Sequence, residues 1–285
     1  MHPAPSIIVF TVLSGLGFGL LFWLGIAPAE ALSLWHFALA FGLAGGGLLA
    51  STFHLGNPQR AWRAFSQWKT SWLSREAVLA VICFAVMGLF GASVVFLGTA
   101  PAVLGALGAV LALATVIATS MIYAQLKTVP RWNQWTTPAL FTALSLCGGA
   151  ILTQGPVLSA LLLAICGALL LAHWGIGDTR FTKSGTNMNT ATGLHHGTVR
   201  AFESPHTGTN YLLKEMVFVV ARKHALKLRA ISFGLLVVLP VLALLTGGAV
   251  GLGLAMALHL AGVFVSRWLF FAEAEHVVGL YYGMR

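Results

Sequence analysis

The run IIVFTVLSGLGFGLLFWLGIA at residues 7–27 has no charged side chain, and it is long enough to cross roughly 30 Å of hydrocarbon as a helix. Seven further apolar runs follow it along the chain. They lie at residues 32–55, 77–98, 102–126, 138–154, 156–175, 230–247 and 250–280. We therefore predict an all-α integral membrane protein built as a bundle of eight transmembrane helices.

The basic residues lie on one side of this map. Of the sixteen Lys and Arg residues, all except Arg267 fall in the connections 56–76, 127–137 and 176–229 or at the C-terminal end. The alternate connections carry none. Because cytoplasmic loops of membrane proteins are enriched in Lys and Arg, we predict that the charged loops and both termini are cytoplasmic, in a bacterial cytoplasmic membrane.

Composition supports the membrane assignment, since 58% apolar and 8% charged residues leave too little polar surface for a water-soluble body. The formal net charge of +9 would suggest nucleic acid as the partner of a soluble chain. Here the cations flank spans, where they set topology and attract anionic lipid or an acidic partner surface. No nucleic-acid recognition motif accompanies them, so no nucleic-acid partner is predicted.

The three cysteines, Cys83, Cys147 and Cys166, all lie inside predicted spans and form no CxxC pair. A chain with this arrangement is not expected to hold an iron–sulfur cluster or a zinc ion by the usual ligand sets. Any cluster that works with this protein is therefore predicted to belong to a partner.

The apolar runs and their short outer connections predict one membrane domain over residues 1–285, with consecutive helices as antiparallel neighbours. Gly-rich stretches such as Gly42–Gly47 and Gly105–Gly108 are expected to let helices approach closely in lipid. Residues 176–229 form a cytoplasmic polar insertion between the sixth and seventh helices, too long for a passive connection.

The polar insertion has two parts. Residues Gly177–His196 are dense in Gly, Thr and Asn and are predicted to be extended or irregular. Residues Asn210–Arg229 have apolar side chains at helical spacing and basic ones toward the C-terminal end. This second part is either a helix at the cytoplasmic interface or an N-terminal extension of the seventh span.

Ionisable and aromatic side chains gather where the second span reaches the cytoplasm and the third span begins. They are His54, Arg60, Arg63, Trp68, Trp72 and Glu76. An imidazole, a carboxyl group, guanidinium donors and indole rings at one membrane depth suit a quinone head group. Because quinone and quinol interconvert with two protons, His54 and Glu76 can serve as a relay. The alternative is an aromatic belt with topology-setting arginines and a helix-start carboxylate.

The stretch KTVPRWNQWTTP at residues 127–138 lies at the same membrane boundary. Its two prolines predict a rigid turn whose freed backbone groups are satisfied by protein. Trp132 and Trp135 in this turn are either interface anchors or ligand contacts.

Ionisable residues also occur in the eighth span. Arg267 lies well inside the apolar run, with Glu273, Glu275 and His276 near its cytoplasmic end. Burying an ionisable side chain in a membrane costs free energy, so we expect these residues to be paired with one another or to have a function. Helical spacing would place Glu273 and His276 on one face and realign Arg267 with Glu275 after two turns. A salt bridge between helices remains the alternative to a functional role.

Three histidines are candidate ligands of a b-type haem, for which two imidazoles on facing spans suffice. His36 and His259 lie toward the outer half of the bundle, and His173 lies toward the cytoplasmic edge. Sequence spacing assigns no pair, and a lone intramembrane histidine is more often a hydrogen-bonded packing residue.

Four motifs of this sequence occur together in a known family. They are His54-Leu-Gly-Asn-Pro-Gln-Arg-Ala61, Leu73-Ser-Arg-Glu76, Thr128-Val-Pro-Arg-Trp132 and Trp135-Thr-Thr-Pro138. The chain thereby resembles the membrane-anchor subunits of the dimethyl sulfoxide reductase family. The resemblance implies a three-subunit enzyme with a molybdopterin catalytic subunit, a four-cluster iron–sulfur subunit and a quinone-handling anchor. It also implies that His54 and Glu76 lie beside the surface that docks the iron–sulfur subunit.

The segments at residues 190–206 and 270–283 are more similar to the anchors of cytoplasmic sulfite dehydrogenases, which pass electrons from sulfite to quinone. The charge map favours this branch, because basic cytoplasmic loops would dock a cytoplasmic catalytic dimer. The alternatives are a quinol-oxidising anchor of a dimethyl sulfoxide or related reductase and a transporter. A transporter would be expected to show an intramembrane polar path or an inverted repeat.

We therefore predict a membrane-anchor subunit that passes electrons from sulfite oxidation to ubiquinone or menaquinone. The predicted quinone-binding residues are His54, Arg60, Arg63, Trp72, Glu76, Trp135 and His276. The predicted proton relay consists of His54, Glu76 and Glu273. Molybdopterin and the iron–sulfur clusters are expected only in partner subunits on the cytoplasmic face.

Overall fold

The computed structural model describes residues 1–54, 56–203, 206–217 and 220–283, without the side chains of Ala29, His54 and residues 220–223. In these ranges the regular secondary structure is entirely helical, and eight helices are long and apolar enough to span a membrane. In chain order, spans 1 to 8 are Pro5–Ile26, Leu34–Ser51, Trp72–Leu97, Ala102–Ala124, Thr136–Thr153, Pro156–Lys183, His224–Leu245 and Gly248–Ala272. The predicted helical membrane bundle is confirmed.

Span 1 lies at the centre of the bundle and packs against spans 2, 4, 5 and 8. Its glycines make this possible, because a Cβ atom at Gly19 would lie 1.8 Å from the Ser145 carbonyl oxygen of span 5. A Cβ atom at Gly17 would lie 2.3 Å from the Ala44 nitrogen of span 2. Lipid offers no hydrophobic drive for helix association, so close backbone contact of this kind supplies the packing energy.

The two predicted glycine stretches differ in their role. Gly47 packs against Ser14 of span 1, where an added Cβ would lie 2.4 Å from the Ser14 nitrogen, and Gly105 packs equally closely against Gly25. Gly42, by contrast, has no described atom within 4 Å of the position its Cβ would take, and the same holds for Gly45 and Gly46. Within Gly42–Gly47, close approach to span 1 is therefore made at Ala44 and Gly47 and not at the other three glycines.

The polar segment between spans 6 and 7 is more helical than the sequence indicated. Span 6 continues as a helix to Lys183, so the stretch 177–183 is not irregular. Two short helices follow, Met188–Thr192 and Tyr211–Glu215. The basic residues that follow belong to the helix Val220–Phe233, which from His224 onward is the first part of span 7. The extension of the seventh span is thus the alternative that the structure favours, and the one-domain division of residues 1–285 stays a prediction.

Span 7 is interrupted by a π-helical turn at Gly234–Val238, and the α-helix resumes at Leu239–Leu245. The Leu236 carbonyl in this wide turn lies 3.0 Å from the Nδ1 atom of His259 on span 8. A Cβ atom at Gly262 would lie 2.4 Å from the Leu236 nitrogen. Spans 7 and 8 are therefore in close backbone contact at the π turn, a type of irregularity that is frequent at functional sites.

Span 8 ends at Ala272, earlier than its apolar run suggested, and a short 3₁₀ helix follows at Val277–Tyr282. The chain turns because the Val277 amide donates to the Thr128 carbonyl at 3.0 Å, across to the 127–138 turn. The helical faces predicted to join Glu273 with His276 and Arg267 with Glu275 therefore do not exist. Nearby, the Met1 amino group donates to the Ala274 carbonyl at 2.6 Å, so the chain's first residue lies at this end of the bundle.

Candidate functional site

A groove of about 600 Å³ opens where span 2 ends and span 3 begins. A 3₁₀ helix at Pro58–Phe65, which starts with a proline suited to a first helical turn, forms one wall. Its walls are mostly apolar, with Leu48, Trp62, Phe65 and Leu73 among the lining side chains. Two ionisable residues, Arg60 and Glu76, also line it.

Glu76 is the buried polar group of this groove, with 4% of its surface exposed. The Thr119 hydroxyl of span 4 donates to its Oε1 atom at 2.5 Å. Thr119 and Glu76 lie on neighbouring antiparallel spans, so this hydrogen bond fixes the carboxyl group at the groove wall. A carboxyl group held in an apolar, ligand-sized groove is an arrangement suited to proton transfer.

The other residues of the predicted quinone site divide into those that line the groove and those that do not. Arg60 lines the groove, and Thr52, at the start of the 3₁₀ turn Thr52–His54, lines it too. The side chain of His54 lies outside the part of the chain that the structure describes. Arg63 and Trp72 do not line the groove: Arg63 lies over the Trp62 ring at 5.6 Å, and Trp72 is covered by Arg75 at 4.3 Å.

Two further residues predicted to bind quinone, Trp135 and His276, do not line the groove either. Trp135 is 64% exposed at the start of span 5. His276 caps the 3₁₀ helix after span 8, where its Nδ1 atom accepts from the Val278 amide at 3.0 Å. Burial, and after it the positive charge of the Met1 amino group, lowers the pKa of His276 below its ordinary value. Its ring is therefore held in the neutral, accepting form that the cap requires.

The predicted relay residue Glu273 lies in a charge network away from the groove. Arg229 donates to Glu273 at 2.8 Å and to Asp178 at 2.6 and 2.8 Å. Arg131 pairs with Asp178 and approaches Glu273 at 3.7 Å. Arg229 also lies over the Trp174 ring at 5.5 Å. This tetrad of Arg131, Asp178, Arg229 and Glu273 joins the 127–138 turn to spans 6, 7 and 8.

Trp132 was predicted as an interface anchor or ligand contact, and the structure shows neither. It is 3% exposed, and its indole nitrogen donates to the Phe270 carbonyl at 2.8 Å. Its ring stacks on Phe270 at 5.2 Å, beside Tyr123. The turn that the two prolines predict is therefore packed into the protein, because Trp132 joins an aromatic core between spans 4, 5 and 8.

Sequence reasoning missed Thr119, although a signal was present. Thr115, Thr119 and Tyr123 recur at four-residue spacing along the otherwise apolar span 4, which places them on one helical face. All three are buried. A polar stripe on an intramembrane helix indicates contact with another polar group, here Glu76 of span 3.

The three candidate haem ligands occupy different places. The Nδ1 atom of His36 lies 2.9 Å from the Ser33 hydroxyl, and His36 lines an apolar groove of about 600 Å³ at the opposite end of span 2 from Glu76. His173 is buried with Nδ1 at 3.1 Å from the Thr136 hydroxyl. His259 lines a small internal cavity. No two of these histidines line the same one of these cavities, and haem binding stays a prediction.

The fold and the groove together define a multi-pass helical membrane protein with a ligand-sized groove at the end of the bundle that carries its basic connections. The family described as DMSO reductase anchor subunit (DmsC) matches residues 1–284, and the chain belongs to this family. The resemblance seen in the sequence motifs is thereby confirmed, and the chain is a membrane-anchor subunit of an oxidoreductase complex.

Two relatives refine the comparison. The chain is 32% identical to the C subunit of the sulfite dehydrogenase of Allochromatium vinosum over 99% of both chains. It is 36% identical to the anaerobic dimethyl sulfoxide reductase chain YnfH of Escherichia coli over 126 residues, which cover 42% of this chain and 41% of that one. No solved structure matches the chain.

Proposed function

We propose that this chain is the quinone-reactive anchor of a three-subunit molybdenum and iron–sulfur enzyme that passes electrons from sulfite to the quinone pool. The observation that carries the proposal is the groove of about 600 Å³ with the buried Glu76 carboxyl group in its wall. The full-length similarity to a sulfite dehydrogenase subunit supports sulfite as the electron source.

The groove supplies what a quinone requires. Its volume lies within the usual range of small-molecule sites, and its apolar walls suit a ring with an isoprenoid tail. Reduction of a quinone to a quinol consumes two electrons and two protons. Glu76 is placed to give a proton to one quinone oxygen, and the Arg60 guanidinium is placed to donate a hydrogen bond to the head group. His54 ends the 3₁₀ turn whose first residue, Thr52, lines the groove, and it is the second proposed relay residue.

The electrons come from a cluster in a partner. The connections 56–76, 127–137 and 176–229 carry most of the Lys and Arg residues, and the first of them forms a wall of the groove. We place the docking surface of the four-cluster iron–sulfur subunit on this end, with the molybdopterin subunit beyond it. The excess of basic residues supports a cytoplasmic location for this end, in a bacterial inner membrane.

The test is a reduced-minus-oxidised optical spectrum of the purified complex, titrated with sulfite and then with a quinone analogue. Sulfite should bleach the clusters, and quinone should reoxidise them. In Glu76→Gln and His54→Ala complexes, reduction of the clusters by sulfite and dye-linked turnover should persist, while reoxidation of the clusters by quinone is lost. Glu30→Gln, an exposed carboxyl group between spans 1 and 2, is the matched control.

Two results would contradict the proposal. Loss of dye-linked turnover together with quinone-linked turnover would assign Glu76 and His54 to assembly. Reduction of the clusters by quinol but not by sulfite, followed by their reoxidation by a sulfoxide, would make the chain a quinol-oxidising reductase anchor. That second function is the one that the partial similarity to the YnfH chain favours.

A further inference from the structure

The groove that holds Glu76 borders a loosely packed stretch between spans 2 and 3. Span 2 packs mainly against span 1 and span 3 mainly against span 4, so the two spans make little contact with each other. Leu48 of span 2 and Ala77 of span 3 both line the groove. About two helical turns further toward the middle of each span, the Phe41 and Phe84 rings meet edge to face at 5.4 Å. We call the stretch between these two levels, roughly 10 Å long, the crevice.

Small residues keep the crevice open. Gly45 of span 2 lies along the helix between Leu48 and Phe41, and no described atom lies within 4 Å of the position that its Cβ would take. Ala80 of span 3 lies at the same level, because it is three residues past Ala77 in the antiparallel helix. Gly45 is half-buried, which places it in a partly covered space rather than on an open surface.

We propose that the crevice binds the isoprenoid tail of the quinone whose head group occupies the groove. The inference rests on the proposed function. It commits to a tail because the crevice is continuous with the groove at Leu48 and Ala77, and its two helical stretches, 41–48 and 77–84, carry no charged side chain. A chain attached to a head group beside Glu76 therefore meets apolar walls as it leaves the groove.

The far end of the crevice directs the tail outward. The Phe41 and Phe84 rings close the space between the spans at this level, and Phe84 also stacks on Phe18 of span 1 at 5.7 Å. Val81 of span 3 is 55% exposed, so the side of the crevice toward lipid is open there. The tail thus passes into the lipid between spans 2 and 3, and the site selects prenylated quinones over the bare ring.

Gly45 is the specificity-determining residue of this arrangement. It does not line the head-group groove, so a side chain at this position would fill the crevice without contacting the quinone ring. Gly42 provides a matched control on the same helix. It also has open space at its Cβ, but it lines the separate apolar groove at the opposite end of span 2.

Sulfite-driven reduction of two quinones by the purified complex tests the proposal. The two probes share one ring, and one has no tail while the other carries two isoprene units. Gly45→Leu should raise the KM of the prenylated quinone by roughly tenfold, because excluding even two methylene groups from an apolar wall costs about that factor. The kinetics of the bare ring should be unchanged, and Gly42→Leu should alter neither.

The two quinones separate failure of this inference from failure of the proposed function. Reduction of both probes with no effect of Gly45→Leu, or with an equal loss for both, would overturn the tail site and leave quinone reduction standing. If the unmodified complex reduces neither probe, the proposed function fails and the tail site fails with it.

A second measurement requires no variant. A prenylated quinone with a photoreactive diazirine on its second isoprene unit should label the segments around Gly45 and Ala80 in the unmodified complex. Excess prenylated quinone without the diazirine should suppress this labelling. Labelling of other spans, as expected if a phospholipid acyl chain already fills the crevice, overturns the proposal.

Discussion

The Thr119 hydroxyl of span 4 donates a hydrogen bond to the Glu76 carboxyl group of span 3 at 2.5 Å. This is a contact between two spans at the wall of the groove, and it determines which way the carboxyl group points. Because Thr119 does not line the groove, it is a positioning residue for the proposed proton transfer rather than a contact to the quinone itself.

Thr119→Val removes that donor with little change in shape. A buried polar group left without its hydrogen bond costs about 1–3 kcal/mol, so we expect quinone-linked turnover to fall by roughly tenfold or more. Glu76→Gln should cost more, on the order of 10²–10⁴-fold, because it removes the proton donor itself. Quinone-linked and dye-linked turnover measured on the same preparations separate this effect from loss of assembly.

The matched control is Thr115→Val. Thr115 is buried one turn away in span 4, and its hydroxyl donates to the Leu111 carbonyl of its own helix. An equal loss of quinone-linked turnover in both threonine variants would contradict the positioning role.

Gly19→Ala should disrupt the contact between spans 1 and 5. The added Cβ would lie 1.8 Å from the Ser145 carbonyl oxygen, so backbone must move. Overpacking typically costs about 1–3 kcal/mol, and here it falls on the central span. We expect a lower thermal midpoint and poor recovery of the complex by size-exclusion chromatography in detergent. Gly42→Ala, which meets nothing within 4 Å, should behave like the unmodified protein. Equal stability of the two variants would contradict this packing.

Removing Glu273 should destabilise the tetrad more than removing Asp178. The Glu273 side chain is 5% exposed between two guanidinium groups, whereas that of Asp178 is 45% exposed. Breaking a buried ion pair costs about 3–5 kcal/mol, and an exposed one about 0–1 kcal/mol. Thermal unfolding of Glu273→Ala and Asp178→Ala at moderate salt measures the order. A larger loss in Asp178→Ala would show that the network is not held together at Glu273.

His276 should make the protein's stability depend on pH. Burial and the Met1 amino group lower its pKa below the ordinary 6.5. At pH values between the lowered pKa and 6.5, His276 therefore takes up a proton when the protein unfolds. Its contribution is therefore complete above pH 6.5 and is lost as the pH falls below that value.

The matched variant is His276→Asn, since asparagine can cap the Val278 amide without titrating. The unmodified protein should lose more stability than the variant as the pH falls from about 7 to about 5.5, as measured by thermal midpoint. Parallel curves for the two proteins would contradict the assignment.

The sequence predicted the spans well because each is a long apolar run and needs no distant information. The end of span 8 at Ala272 was not predictable, because it depends on a hydrogen bond between Val277 and Thr128. The ion pairs of Glu273 were not predictable either, because its partners Arg131 and Arg229 are distant along the chain. Local helical spacing had suggested His276 as the neighbour of Glu273 instead. The groove was located in part, since Arg60 and Glu76 line it while Arg63, Trp72, Trp135 and His276 do not.

The π turn in span 7 also determines how this helix is oriented along its length. Each residue advances an α-helix by about 100°, so the extra residue in the wide turn shifts the phase of all that follows. On one side of the turn, Arg229 faces Asp178 and Glu273; on the other, buried Leu244 faces the bundle interior. A deletion of one residue at Gly234–Val238 would restore a regular helix yet rotate one of these two faces away from its neighbours. The length of this turn is therefore as constrained as the identity of the residues that it aligns.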